Sequence, residues 1–600
     1  MCRIHGYFNT TASLAEVRDV AGRQRHGGPD ATGLVRASGW GLGSNRLAII
    51  DQDGGAQPYD LDGRITAVFN GEIYNHDELR RDLQGRGYRF PDRCDGSIIP
   101  ALYDTYGEEF VDLLDGMYAI ALVDRRDVPT LLLVTDHAGM KPLYHRQDPA
   151  TGALHFASEI PALLGFRGAG TGLWEPGLDA YLASKTPFGE RTMFDGIRVL
   201  PPAATLRCAL GGRPVMVRRP PRPAPPYDDP QRAPDQIRQA LHTEVGRLLV
   251  ADVPVAVITS GGLDSSLVTA LAAEHRWVHS FTIAYRGTWP FDERHYARLV
   301  ARHAGTVHHE VELDPARIPD LLDDVIRHLG QPNADPITVS TYALFAAVHD
   351  TGFKAALTGD AADEGFGGYG RMRAALDDAA AGIDWRPGYV DALAVAPPHL
   401  RHALYTDEYR RYVRDIPPIP TEALGRLSDG DGTVLQRIVD FEFGHRLPAY
   451  HLRRVDHLSM ASSVEVRLPF CQPSVVALAR ALPDPLRISA GRVKRALHAA
   501  AVGLLPAEVL DRPKQPFTLP ITAMLAPGTP LWTYARDVLD PVRLHLGGQL
   551  DPRAVADLFA RQAANPDDTT ALTLWALMTY EVWRDRFHGA TRPLDLAVPA

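Results

Sequence analysis

The run Pro220-Pro-Arg-Pro-Ala-Pro-Pro226 constrains this chain more than any other feature. Each proline fixes its own φ, lacks a backbone donor and pushes the preceding residue out of the helical region. Such a run is neither helix nor inner strand and reads as a stiff, extended connector. The chain has 600 residues, more than one core organises, so the connector marks a domain boundary. The expected division is a first domain over 2–215, a linker over 216–230 and a second domain over 231–590.

The two sides differ in pattern. Before the connector, short strand-like runs at 3–8, 47–50, 65–69, 118–123 and 130–134 are separated by glycine turns. A helix is expected over 76–84, with Asn75 as its N-cap. This side reads as layered sheets with flanking helices. After the connector, strands at 253–259, 278–283 and 353–358 alternate with helices. The helix over 265–275 carries Leu267, Val268, Leu271 and Ala272 at helical spacing. This alternation is that of a parallel sheet covered by helices. From about residue 371 the chain is mostly helical. The fold class is therefore α/β in two domains, the second with a helical extension.

The charge balance narrows the partners. Sixty-three basic and 73 acidic residues give −10, and the basic string from Arg218 to Arg222 is broken by prolines. No nucleic acid is expected. No apolar run reaches the roughly 18 residues of a spanning helix, so no membrane partner is expected either. The N-terminus lacks the apolar core of a secretory signal. Cys2, Cys94, Cys208 and Cys471 are too few and too scattered for a disulfide framework, and none forms a CxxC pair. A reducing, cytoplasmic setting fits.

Cys2 directly follows the initiator Met. Cysteine is small enough for that Met to be removed, which exposes an α-amine of pKa about 7.7–8.0 beside a thiol of about 8.5. One residue then supplies nucleophile and base. On position alone, Cys2 reads as a small apolar residue in an edge strand. Three further strings change the balance: Asn45-Arg46-Leu47, Asn70-Gly-Glu-Ile-Tyr-Asn75 and Cys94-Asp95-Gly96. An amide substrate with α-amino and α-carboxylate groups needs a guanidinium, carboxylates and an oxyanion donor.

With Cys2-Arg-Ile-His-Gly6, Arg25-His-Gly-Gly-Pro-Asp30 and Asp136-His-Ala-Gly-Met-Lys-Pro-Leu-Tyr144, these strings resemble the glutaminase domain of asparagine synthetase B-type enzymes. The resemblance implies an αββα N-terminal-nucleophile fold with Cys2 as nucleophile. It implies Asn70 and Gly71 at the oxyanion hole, and Arg46, Glu72 and Asp95 on the amino-acid end of glutamine. The family usually has Arg where Gly27 stands and Glu where Ser97 stands; neither change removes the nucleophile.

A second constellation begins at Ser260-Gly-Gly-Leu-Asp-Ser-Ser266, between a strand and a helix. Small residues let the backbone approach an anion, and a helix N-terminus offers unpaired N–H groups. That makes Ser260, Gly261, Gly262 and Ser265 a pyrophosphate loop and Asp264 a candidate Mg²⁺ ligand. A plain Gly-Ser turn is the bland alternative; the GK[ST] ending of a Walker A loop is absent. Leu357-Thr-Gly-Asp-Ala-Ala-Asp-Glu-Gly-Phe-Gly-Gly-Tyr369 follows another strand, and in a parallel sheet the two loops meet in one crevice, so Asp264 and Asp363 can share magnesium.

These strings, with Asp456-His-Leu-Ser-Met460, Ser463-Val-Glu-Val-Arg-Leu-Pro-Phe470, Arg492-Val-Lys494 and Arg512-Pro-Lys-Gln-Pro-Phe517, resemble the ATP-pyrophosphatase domain of the same family. By that resemblance Thr259, Ile283, Thr358 and Gly359 contact ATP, Asp360 lies near the reacting acyl group, and Lys494 stabilises the adenylation transition state. The implied activity is a carbon–nitrogen ligase using glutamine, ATP and a carboxylic-acid acceptor, aspartate by default, with a homodimer the open option for assembly. Gln331, Ala361, Ala362 and Gln472 depart from the family pattern and leave a tailoring amidotransferase on another acid as the alternative. An ATP-dependent cyclase of the β-lactam or lasso-peptide kind conflicts with an intact Cys2 pocket, and a non-enzymatic scaffold conflicts with two complete constellations.

Overall fold

The computed structural model describes residues 2–168, 172–220, 229–289, 292–428, 432–489, 491–513 and 519–589. The connector from residue 221 onward and Lys514 with the rest of its string lie outside the described residues. The start of the expected linker is a strand, Val215–Arg218.

The N-terminal half holds two stacked antiparallel sheets. The first runs, edge to edge, Ile197–Val199, Tyr144–Gln147, Leu154–Ala157, Cys2–Phe8, Trp40–Arg46 and Ala31–Ala37. The second runs Val215–Arg218, Ala204–Ala209, Thr130–Thr135, Gly116–Asp124, Ile65–Ile73 and Tyr59–Leu61. Ile4, Phe8, Trp40 and Leu42 of the first sheet meet Val68, Ala121, Leu131 and Leu133 of the second in one apolar cluster. The helix Leu14–Arg23 covers the first sheet through Val17 and Val20, packed with Tyr7. The helix Ile99–Tyr106 covers the second through Ile99 and Leu102, packed with Phe69 and Ile120. The result is an αββα sandwich, and its inner strands bury polar residues as well as apolar ones, among them Arg3, His5, Asn70 and Glu72.

Side chains alternate faces along a strand. In Cys2–Phe8, the residues Ile4 and Phe8 point between the sheets, and Cys2 shares their face. Arg3, His5 and Tyr7 point the other way.

The C-terminal half is built on five parallel strands in the order Val307–Leu313, His279–Tyr285, Val255–Ile258, Ala355–Leu357, Glu465–Arg467. The chain steps outward from Val255–Ile258 on one side, then returns to its other side. That reversal opens a crevice at the carboxyl end of the central strand. The helical remainder closes with Asp568–His588, whose Trp575 and Trp583 are fully buried. Tyr181 of the N-terminal half donates to the Ala576 carbonyl of this helix at 3.1 Å. No helix among the described residues is long and apolar enough to cross a membrane.

Two local expectations are corrected. Residues 47–50 are a buried loop after the strand Trp40–Arg46, not a strand. Their backbone groups are satisfied by side chains: Asp30 accepts from Ala48 N–H at 2.8 Å, and Arg46 donates to the Ile50 carbonyl at 3.1 Å. Asn75 does occupy the N-cap position of His76–Gly85, but its side chain makes no capping bond. It holds Leu113 O and Asp115 N instead.

Candidate active site

Cys2 is buried, and its backbone N–H donates to Asn70 Oδ1 at 3.3 Å. That contact fixes the amide's orientation and leaves Asn70 Nδ2 buried with no hydrogen-bond partner among the described residues. An orphaned donor beside a thiol is costly unless an oxyanion or carbonyl arrives to accept from it. Gly71 follows at φ +153°, where an added Cβ would stand 2.0 Å from Met117 O. Only glycine lets this strand pass so close to its neighbour.

Gln57, unmarked in the sequence, donates from Nε2 to Cys2 Sγ at 3.1 Å and is itself locked to Phe69 by two bonds of 2.7 and 2.9 Å. Burial pushes the Cys2 thiol above its ordinary value. It is protonated at neutral pH, and attack needs a base.

Arg46 donates to the carbonyls of Ile50, Asp51 and Gln52, and no carboxylate lies in ion-pair range of it among the described residues. Its charge is available to an incoming carboxylate. Glu72 and Asp95 are both buried, and Asp95 accepts from Ile73 N–H at 2.8 Å. Burial first, then Asp95 and Glu465, push the Glu72 carboxyl well above the ordinary range. A substrate ammonium between these acids would relieve that strain. Ser97 caps the Cys94 carbonyl and receives a bond from Arg80.

The candidate nucleotide side is equally local. Gly359 packs so tightly on the helix Leu263–His275 that a Cβ there would lie 2.7 Å from Ser265 N, so the two loops meet in the crevice. The hydroxyls of Ser260 and Ser265 bond each other at 2.9 Å, and Gly262 N–H donates to Ser260 Oγ at 3.2 Å. Gly261 takes φ +77° against Tyr296. Arg512, part of a motif with no role assigned to it, holds that loop by donating to Gly261 O at 2.7 Å. Thr259 turns its hydroxyl to Thr269 at 2.5 Å, and Ile283 is buried in the next strand. Thr358 donates to Asp360 at 2.6 Å. Lys494 places its ammonium 2.5 Å from Asp264 and 2.6 Å from Asp363.

Two carboxylates at one point match the donor set of Mg²⁺ arriving with phosphate oxygens. No group of three or more His, Cys, Asp or Glu is gathered as a metal cage among the described residues.

Two residues tie the halves together. Arg467, fully buried, bonds Glu465 at 2.6 Å and reaches Glu72 at 3.6 Å, while its carbonyl accepts from Thr358 N–H at 3.2 Å. Arg3, on the face opposite Cys2, pairs with Glu159 at 2.8 Å and with Asp456 of the C-terminal half at 2.6 Å. Lys141 takes the other Asp456 oxygen at 3.0 Å. Arg3 also explains Gly27: a Cβ at 27 would lie 2.7 Å from Arg3 Cγ and Nε, so the guanidinium beside this loop comes from position 3.

Breaking a buried pair costs about 3–5 kcal/mol, because a charge is left uncompensated. Arg3→Met is expected to lose at least about 3 kcal/mol in urea unfolding. Burial would raise the Asp456 carboxyl, but Arg3 and Lys141 outweigh it and hold it down at about 2. The cluster therefore stabilises in full above about pH 4, and its contribution fades as the pH falls toward about 2. An Arg3→Met variant with wild-type acid sensitivity would refute this.

A cavity of about 860 Å³ lies between the halves beside His137, Arg198 and Phe443 and takes in none of the residues named above for either site. It is not where this chemistry sits.

The asparagine synthase family pattern matches residues 236–585, and a glutamine amidotransferase domain pattern matches 1–216. The chain is 27% identical to glutamine-hydrolyzing asparagine synthetase 3 of Bacillus subtilis over 551 residues, 86% of this chain and 87% of that protein. It is 32% identical to glutamine-hydrolyzing asparagine synthetase B of Escherichia coli over 400 residues, 62% of this chain and 65% of that one. With the rice glutamine-hydrolyzing asparagine synthetase 2 the identity is 32% over 380 residues, 60% of this chain and 57% of that one. The matched stretch thus spans less than two thirds of the length of the E. coli and rice proteins. The first pattern alone covers more than half of the sequence, and on that ground the chain belongs to the asparagine synthase family.

Proposed function

We propose that this protein is a glutamine-dependent amidotransferase that converts aspartate to asparagine at the expense of ATP. Cys2 Sγ attacks the glutamine amide, with the α-amine freed by loss of Met1 as base and Asn70 Nδ2 taking the oxyanion. Arg46, Glu72 and Asp95 hold the amino-acid end. In the crevice, the acceptor carboxylate attacks the α-phosphate, pyrophosphate leaves, and ammonia then displaces AMP from the acyl-adenylate. Mg²⁺ held by Asp264 and Asp363 would offset phosphate charge. Lys494 donates to the phosphates as they separate.

The observation that carries the acceptor assignment is the polar set beside Asp360. Arg454 lies 4.0 Å from Asp360 and 2.9 Å from Asp335, and Tyr450 donates to Asp335 at 2.5 Å. Fixed charges of both signs suit an amino acid and would be costly beside an apolar acid. Two of the departures that favour a tailoring substrate, Gln331 and Gln472, point elsewhere. Gln331 accepts from Met193 N–H at 3.4 Å, and Gln472 folds back on Leu468 O at 3.0 Å, both buried.

The test is incubation with glutamine, ATP and aspartate. Glutamate, AMP, pyrophosphate and asparagine are expected in equal amounts, at about 1–10³ s⁻¹. ADP and phosphate, or no asparagine, would overturn the reading.

A further inference from the structure

Lys185 ends the helix Gly177–Ser184 in the left-handed conformation, φ +67°. For any residue with a Cβ that conformation costs on the order of 1 kcal/mol, and glycine would carry none of the penalty. The backbone here is fixed on both sides: Lys185 N–H donates to Tyr181 O at 2.7 Å, and its carbonyl accepts from Ala334 N–H at 3.0 Å. A lysine kept at such a site points to a use for its side chain.

That side chain enters the polar set beside Asp360 from the N-terminal half. Its ammonium lies 5.9 Å from the centre of the Tyr450 ring. The charged groups around it are Asp335, Arg446, Arg371 and Arg454. Each guanidinium has a carboxylate: Arg454 has Asp335 at 2.9 Å, and Arg371 and Arg446 share Glu442 at 2.5 and 3.3 Å. Glu364 is engaged by His451 at 3.1 Å and by Tyr369 at 2.6 Å. No carboxylate lies in ion-pair range of Lys185 among the described residues, so it is the cation of this set left without an anion. Burial chiefly, with Arg446, Arg371 and Arg454, brings its ammonium down to about 8 against the pull of Asp335. An arriving anion would reverse that penalty.

We propose that Lys185 binds the non-reacting carboxylate of the acceptor, so that the site selects acids carrying two carboxylates. This rests on the amidotransferase reading above and adds the residue that sets acceptor class.

Three acids test it, with ammonium chloride as nitrogen source so that the glutamine site plays no part. Aspartate has both carboxylates, succinate lacks the amine and β-alanine lacks the second carboxylate. Pyrophosphate release is followed for wild type, Lys185→Gly and Lys185→Arg; the glycine variant relieves the backbone and is expected to fold. Loss of a charge-assisted bond predicts a rise in KM for aspartate and succinate of about ten- to hundredfold in Lys185→Gly. The kcat and the KM for ATP should hold, β-alanine should be unaffected, and Lys185→Arg should recover most of the loss. An unchanged aspartate KM in Lys185→Gly, or an equal loss with β-alanine, would overturn the inference. Wild-type turnover of β-alanine but of neither diacid would overturn it and leave the amidotransferase standing. Turnover of none of the three would overturn it together with the aspartate reading.

Discussion

Replacing Cys2 with alanine is expected to abolish glutamine hydrolysis while leaving ammonia-driven synthesis intact. In the proposed reaction Asn70 Nδ2, buried without a hydrogen-bond partner among the described residues, would take the developing oxyanion, and Gln57 donates to the sulfur at 3.1 Å. Neither group is a nucleophile, so nothing replaces the lost sulfur. Loss of an enzyme's nucleophile costs on the order of 10⁴- to 10⁶-fold, and glutamate release should fall by that much. The side chain is small and makes no ion pair, so folding should survive. Synthesis with ammonium chloride, read as pyrophosphate, should stay within about twofold of wild type. Cys94→Ala is the control: its sulfur contacts Tyr59 at 3.2 Å and Arg46 at 3.9 Å. It should change the glutamine KM more than kcat, since it touches Arg46, proposed to hold the amino-acid end of glutamine, and not the proposed reacting atoms. Glutaminase activity surviving in Cys2→Ala would remove the nucleophile assignment.

Much of this site is readable from sequence because its parts are contiguous strings. Asn70-Gly71-Glu72 is one stretch of the strand Ile65–Ile73, and Ser260–Ser266 folds on itself through its own hydroxyls. The apolar strands of the parallel sheet are readable for the same reason, since burial on both faces gives unbroken runs. What stays hidden is set by docking. Arg3 and Asp456 are 453 residues apart, and Lys141 and Asp456 are 315 apart. No local pattern marks Arg3 as the guanidinium beside Gly27, or Arg467 as the residue touching both Glu72 and Thr358. Residues 47–50 mislead because a buried apolar loop and a short strand share one composition; only the side-chain partners of its backbone separate them. Ala361 lies at φ +77°, a conformation read easily from glycine and not from alanine. Lys185 is concealed in the same way.

Lys494→Met should stop AMP formation and leave glutamine hydrolysis running. Burial alone would lower this lysine's pKa, but Asp264 and Asp363 outweigh burial and hold it charged above the ordinary value. The ammonium thus sits between the two loops that meet at the sheet's reversal point, where phosphate charge would grow as pyrophosphate departs. An added Cβ at Gly368 would lie 2.2 Å from Lys494 Cε, so the glycine makes room for the lysine. Removing one preorganised donor typically costs about 10²–10³-fold in kcat, and at least that loss is expected in pyrophosphate release, with the glutamine KM unchanged.

The complication is structural, because methionine leaves two carboxylates facing each other without their cation. Lys494→Gly separates the effects. Lys494 takes φ +52° at the start of the helix Arg495–Ala501, and glycine relieves that conformation. The two variants should unfold at different temperatures yet share the catalytic loss. If Lys494→Gly folds and still forms AMP at the wild-type rate, the lysine only neutralises Asp264 and Asp363, and the transition-state role falls. If both variants lose AMP formation while Cys2 chemistry continues, the ammonium acts on the phosphates, and the two sites are separable within one chain.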